Sequence, residues 1–398
     1  MLLTFRQSDY RSLFIINGVL ALQTAMLVPI YPLWIMEEMN TSVTTVFFLL
    51  SIIGVGTALL NMAVGHFADR LGQRKALVEL TVLLGVLRTV LFAFFPNVWV
   101  LLIVSSLTQI SNGGITFAIL KERIQKHQHG HMEGLLTSTV RMSVSVGYII
   151  GPAIGVFLAS AFSFQMFFFI SAFLYVILFF LSRVMLTEPA KKQPEHTEKT
   201  KTAKGQWMFV VLGFSLVILL FSGNIAVDTL LSVHIDRSYA PWVLAAVFAV
   251  SPLFELLAFP LAGWASDRFG LRITLLYGTI VGIVYFSIFF FFTSLPVLFL
   301  NQILGAVYTA CLFTSLMLFI QQLFRHRLAF SSSMYFSAIS LASILSNSLM
   351  GSALAGSQLT TGFLLLSGVT FVGLCLFGLM VFLETKTTAL KEDKSAVS

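Results

Sequence analysis

Charge is scarce in this sequence: Asp, Glu, Lys and Arg together make up 10% of 398 residues, while hydrophobic residues make up 57%. A water-soluble domain needs about 25% charged residues to cover its surface, so water is excluded as the solvent of most of the chain. Cysteine is nearly absent. Cys311 and Cys375 both fall inside apolar segments, which excludes a disulfide framework and a cysteine-rich metal centre. No phosphate-binding loop, nucleophile elbow or nucleotide-binding signature occurs, so the residues offer neither an enzyme active site nor an ATP-driven motor. A cofactor is not implied. The formal charge of +7 lacks the aromatic interleaving of a nucleic-acid surface; its explanation is topological.

What is present is long apolar runs. Twelve are long enough to cross a hydrocarbon core of about 30 Å: near residues 12–36, 45–64, 76–95, 97–120, 134–160 and 163–186, then 207–234, 242–265, 272–293, 296–320, 331–355 and 360–384. The first continues for too long, and is followed by too many others, to be a cleaved signal. The segment Thr187 to Gln206, with Pro189, Pro194 and several Lys and Glu residues, predicts a flexible linker. The expected organisation is an all-α membrane protein: a first six-helix half over 1–186, a linker over 187–206, a second half over 207–385 and a tail over 386–398.

With both termini in the cytoplasm, the cytoplasmic connections and adjoining span ends collect the arginines and lysines around 6–11, 70–75, 121–126, 183–204, 268–272 and 325–327, and those of the tail, whereas the opposite side holds only Arg237. That asymmetry fixes the orientation by the positive-inside rule. Arg88 and Arg141 are the basic residues left inside spans.

After the second span the chain reads Gly65-His-Phe-Ala-Asp69-Arg70-Leu-Gly72-Gln-Arg74, and after the eighth Gly263-Trp-Ala-Ser-Asp267-Arg268-Phe-Gly270-Leu-Arg272. Both match G-x-x-x-D-R-x-G-x-R at an offset of 198 residues, about half the chain, which marks an internal duplication. Gly65 and Gly263 allow helices to approach closely, and Gly72 and Gly270 permit a tight reversal. The acids and arginines supply charge-assisted bonds that form on one side of the membrane and break when the halves rock apart.

This repeated pattern resembles the cytoplasmic loop signature of the major facilitator superfamily. The resemblance implies twelve helices in two pseudo-symmetric halves, alternating access, a substrate site between the halves near mid-membrane, and Asp69 and Asp267 loops that latch the cytoplasmic side. The fifth span contains Gly147, Gly151, Pro152 and Gly155, which resembles the glycine-proline motif of facilitators that export; the final glycine of that motif is Val156 here. Together with Phe117-Ala-Ile-Leu-Lys121-Glu122-Arg123, the Arg141 to Gly155 segment and Phe254-Glu255-Leu-Leu-Ala-Phe-Pro260, the chain is similar to the bacterial sugar efflux transporter family. That similarity implies a multi-pass monomer of the bacterial inner membrane, moving sugars or sugar-like compounds outward against protons.

Charges inside spans are expensive and mark function by default. Glu255, midway along its span between Pro252 and Pro260, is the first candidate for proton coupling, with Arg141 and Asp228 beside it. Two readings of Glu255 stand together: a proton carrier, or a fixed partner of Arg141 across the halves. Asn224 and Asp228 are one turn apart and suit hydroxyl recognition, although Asp228 also suits an interfacial position. Gln23, Asn112, Tyr148, Gln302 and Asn347 complete the candidate substrate-binding groups, with helix-helix hydrogen bonding as the alternative for each. Arg88 suits a structural role as well as a functional one. The fourth span reads Gln109-Ile-Ser-Asn112-Gly113, without the arginine that proton-antiporting drug exporters usually carry there. His127, His129 and His131 have metal-binding spacing in a solvated loop, where an inert cluster is the plainer reading. A multidrug exporter with phenylalanine-rich walls, and a membrane sensor that keeps the fold without transport, remain as rivals.

Overall fold

A computed structural model describes residues 8–41, 43–71, 73–108, 112–127, 132–187, 204–324, 328–354 and 359–396. Among these residues every regular element is a helix. The first half contains α1 (Ser8–Glu38), α2 (Val43–Leu71), α3 (Arg74–Phe94), α4 (Val98–Thr108), α5 (Asn112–Lys126), α6 (Glu133–Ala161) and α7 (Phe164–Met185). The second contains α8 (Lys204–Ser238), α9 (Pro241–Phe269), α10 (Leu271–Phe291), α11 (Leu295–Leu300), α12 (Gln302–Leu323), α13 (Leu328–Leu354) and α14 (Leu359–Ala396). With no water to bond a free backbone group in hydrocarbon, helices are the form such apolar runs must take.

Ten helical segments among the described residues are long and apolar enough to cross a membrane, α11 and α12 counting as one through Asn301. The other two expected spans differ for identifiable reasons. Helix α4 has 11 residues, about 16 Å of rise, and cannot cross alone; α5 resumes beyond residues 109–111, which lie outside the described residues. Helix α13 has 27 residues, ample length, but its nine serines and Asn347 dilute its apolarity. Five of those serines are turned inward. Ser331, Ser332, Ser333, Ser337 and Ser346 are buried, and Ser337, Ser340, Ser343 and Ser348 return their hydroxyls to carbonyls of their own helix. Helix α14 runs on to Ala396, past the end of the expected span. The expected linker falls almost wholly in residues 188–203, outside the described residues.

The burial pattern is that of a lipid-solvated bundle. Val184, Leu257, Leu261 and Phe371 face outward, whereas many serines and threonines lie inside, where small residues let helices approach. The glycines of α6 show why they are needed: a side chain at Gly151 would meet Ala25 and the Leu22 carbonyl of α1, and one at Gly155 would meet the Met26 carbonyl. Helix α6 therefore lies against α1 along its glycine face, and it contains Pro152.

Two helix pairs make the most extensive contacts between the halves. Helix α9 packs on α6, and α2 packs on α13. At the first crossing, a side chain at Gly263 would meet Gly134 and Ser138, and one at Gly134 would meet Asp267. At the second, Gly54 abuts Ser340, Ser343 and Ile344, and the Ser337 hydroxyl donates to the Ala58 carbonyl at 2.9 Å.

Candidate functional site

In its second copy the repeated loop signature binds the first half of the chain. Asp267, near the end of α9, accepts the backbone N–H groups of Gly134 (2.8 Å) and Leu135 (2.9 Å) in the first turn of α6. A helix N-terminus leaves its first N–H groups unpaired and carries partial positive charge, so a carboxylate there is doubly favoured. Gly270 ends α9 at a φ of 90°, a conformation that glycine adopts freely. Arg268 spreads over the Trp264 and Phe269 rings at 5.3 and 5.7 Å, and Arg272 is exposed. In the first repeat Gly65 is buried, Arg70 is exposed and Arg74 pairs with Glu122 at 2.5 Å. The side chain of Asp69, and Gly72, lie outside the described residues. Lys121 pairs with Glu133, joining α5 to the start of α6. This is the basic end of the bundle.

Glu255 sits fourteen residues from each end of α9, about 21 Å of helix rise from either side. Its Oε2 accepts the Ser145 hydroxyl of α6 at 2.5 Å, and Ser251 on its own helix also bonds to it. The contact with Ser145 crosses the seam between the halves. Pro252 and Pro260 bracket this turn, where each removes a backbone donor and loosens the helix.

Arg141 is one turn before Ser145 on α6 and within electrostatic reach of Glu255, Tyr148 and Tyr335. Among the described residues no ion pair joins it to Glu255. Its guanidinium lies 3.8 Å above the Phe313 ring centre of α12, a favourable cation–π placement in a dry interior, and its Nε has no hydrogen-bond partner.

A cavity of about 540 Å³ opens beside Arg141, within the range of small-molecule sites. Its lining follows α1 from Asn17 to Pro32, so it fills the middle and far parts of the bundle and stops short of the basic end. Arg88, Tyr148 and Tyr175 line it, with Phe92, Phe117, Phe313 and Phe336 as aromatic walls. Arg88 donates to the Tyr175 hydroxyl at 3.0 Å, and Tyr31 bonds Ser105 at 2.6 Å.

Of the expected substrate-binding groups, Tyr148 lines this cavity. Gln23 instead donates to Ser171 of α7, knitting α1 to that helix. Asn224 donates to Thr309 at 2.8 Å, tying α8 to α12. Asp228, one turn further, is exposed and within electrostatic reach of Glu255. Gln302 is buried and accepts the Tyr285 hydroxyl at 3.4 Å. Asn347 is half-buried on α13. Asn112 begins α5, and its side chain lies outside the described residues. His127 meets Tyr10 edge-on at 6.1 Å, and His129 and His131 lie outside the described residues.

Sequence reasoning missed Ser145, Gly134, Tyr31, Tyr175 and Phe313. A serine or phenylalanine in a membrane helix gives no signal of its own; only the depth of Glu255 and Arg141 could have directed attention to the partners facing them.

The family model described as Major Facilitator Superfamily matches residues 13–251 and, again, 208–397. Sugar efflux transporter A of Dickeya chrysanthemi is 24% identical over 296 residues, covering 72% of this chain and 74% of the relative. Multidrug resistance protein MdtG of Escherichia coli is 26% identical over 219 residues, 52% of each chain. The crystal structure of the human organic anion transporter MFSD10 (TETRAN) superposes with a TM-score of 0.72 at 14% identity, covering 93% of this chain and 99% of that one.

Proposed function

This chain belongs to the major facilitator superfamily and is a membrane transporter, not an enzyme, and from that premise we propose that it exports sugars or sugar-like compounds by proton-coupled alternating access. The observation that carries the proposal is the hydrogen bond from Ser145 to Glu255 at mid-membrane, made across the seam that must open and close. An ionised Glu255 accepts this bond and favours the closed seam. When a proton binds, the carboxyl loses its charge and part of its acceptor capacity and gains a donor, which weakens the cross-seam bond. In the exporting cycle a proton enters Glu255 from outside and leaves to the cytoplasm, and the substrate moves the other way. The basic end, which the positive-inside rule assigns to the cytoplasm, is latched by Asp267 while the cavity reaches toward the far end; this arrangement fits the substrate-releasing state. The aromatic walls with interspersed tyrosine hydroxyls suit sugar rings, and the relative named a sugar efflux transporter supports that substrate class.

The multidrug relative and the phenylalanine walls favour a second reading, efflux of hydrophobic compounds. Inside-out vesicles with an imposed pH gradient separate the two. Neutral and charged sugars should release protons in a substrate-dependent manner, and Glu255→Gln should abolish that release. Proton release with hydrophobic dyes and none with any sugar would sink the sugar reading; unchanged coupling in Glu255→Gln would remove Glu255 as the carrier.

A further inference from the structure

Two arginines line the transport cavity, and among the described residues no aspartate or glutamate does. That composition is unusual for a site meant for neutral sugars, because an unbalanced cation within hydrocarbon depth is costly to keep. The two positions are not equivalent. Arg141 has Glu255 within electrostatic reach and the Phe313 face beneath its guanidinium. Among the described residues Arg88 has neither: it meets the Tyr175 hydroxyl and, electrostatically, Tyr31. It stands fourteen residues beyond Arg74 on α3, about 21 Å of helix rise from the basic end, too deep for its side chain to reach the headgroups on that side. One of its five N–H donors goes to Tyr175, whose ring also packs against the backbone of α3 at Gly85. The phenol holds the guanidinium while its remaining donors are available to the cavity, a geometry that suits a planar or tetrahedral oxyanion.

We propose that Arg88, steadied by Tyr175, is the anchor for an acidic group on the transported compound, so that the preferred substrates are anionic sugars bearing a carboxylate or phosphate. This inference rests on the export reading of the same cavity and names its substrate class. Arg141 supplies a second, partly neutralised contact. The body of the substrate would rest on the tyrosine and phenylalanine rings that share the wall with aliphatic and hydroxyl side chains.

The test uses the purified full chain in proteoliposomes and compares methyl glucoside, methyl glucuronide and glucose 6-phosphate, with p-toluate as a non-sugar anion. Transport is measured alongside ligand-induced thermal stabilisation. At least one anionic sugar should be transported about tenfold more efficiently than methyl glucoside, the order of a charge-assisted contact. Arg88→Gln should bring the ratio of anionic-sugar to methyl glucoside transport down from about ten to near one, and Arg88→Lys should restore part of that ratio. The better anion, carboxylate or phosphate, identifies the acidic group. If all three sugars are carried equally, or if Arg88→Gln weakens neutral and anionic sugars alike, the anion site is overturned and sugar export stands. If no sugar is carried, yet p-toluate stabilises the protein in an Arg88-dependent way, the anion site stands and the sugar reading falls. Absence of any Arg88-dependent anion effect in both measurements overturns the proposal.

Discussion

The two halves share a fold and a loop signature, yet they divide the intramembrane charge by sign. The first half holds Arg88 and Arg141; the second holds Glu255 and Asp228. The arginines line the cavity, whereas Glu255 sits at the seam and bonds to a serine of the opposite half. Duplication supplied two copies of the scaffold and of the loop signature. Divergence then assigned the cavity-lining cations to one copy and the proton-binding candidates to the other. A transporter built this way can tune what it carries and what drives it by changes in different halves.

The strongest break of this division is Glu255→Gln. Proton-driven transport should fall about 100-fold, the lower range for losing a group that transfers a proton, while gradient-independent substrate exchange persists in proteoliposomes. Equal loss of both would show that the second half binds substrate too. Next comes Gly263→Leu, because the new side chain must enter space held by the Gly134 backbone and the Ser138 hydroxyl. Overpacking there should cost about 1–3 kcal/mol and expose the seam. The readout is maleimide labelling of a cysteine placed at Ser138, in a background lacking Cys311 and Cys375.

Asp267→Asn asks whether the two latches are equal. It retains one acceptor oxygen but loses the charge and one of two backbone bonds, so the same cysteine should label about fivefold to tenfold faster, as expected for 1–1.4 kcal/mol. Asp69→Asn should match it if the first repeat latches its own partner in the same way. Ser145→Ala is the mildest. One hydrogen bond is lost at the seam, and proton-coupled transport should change about threefold, consistent with less than 1 kcal/mol.

Much of this architecture was legible because membrane physics writes large signals. Apolar runs of spanning length, a lopsided distribution of Lys and Arg, and a ten-residue pattern repeated 198 positions apart are each hard to produce without the fold. The depth of Glu255 was equally readable, since a carboxylate between two prolines in an apolar span has few explanations. The acceptors and partners were not. Asp267 meets main-chain N–H groups of α6, which every residue type but proline provides. Arg88 suited a structural role as well as a functional one, and only the structure brings its charge beside Tyr175 to the cavity. Gln23 and Gln302 read as substrate ligands by type, yet each bonds to a neighbouring helix, the commoner fate of a buried amide. Helix α13 fell short in apolarity because its polar face looks into the protein, where hydropathy and membrane burial part company.

If the chain exports its substrate, the Asp267 contact also bears on the concentration at which transport begins. A carboxylate bonded to two helix N-terminal N–H groups, at about 1.5 kcal/mol or more per charged bond, biases the resting protein heavily toward the form closed at its basic end. If that end is cytoplasmic, internal substrate meets a competent site only in the small open fraction, and apparent affinity weakens by that same fraction. A tenfold bias raises the effective threshold tenfold without altering one substrate contact. The latch would then act as the setting of a relief valve: the transporter leaves modest internal pools alone and engages when they accumulate, and residue 267, remote from the cavity, adjusts the set point.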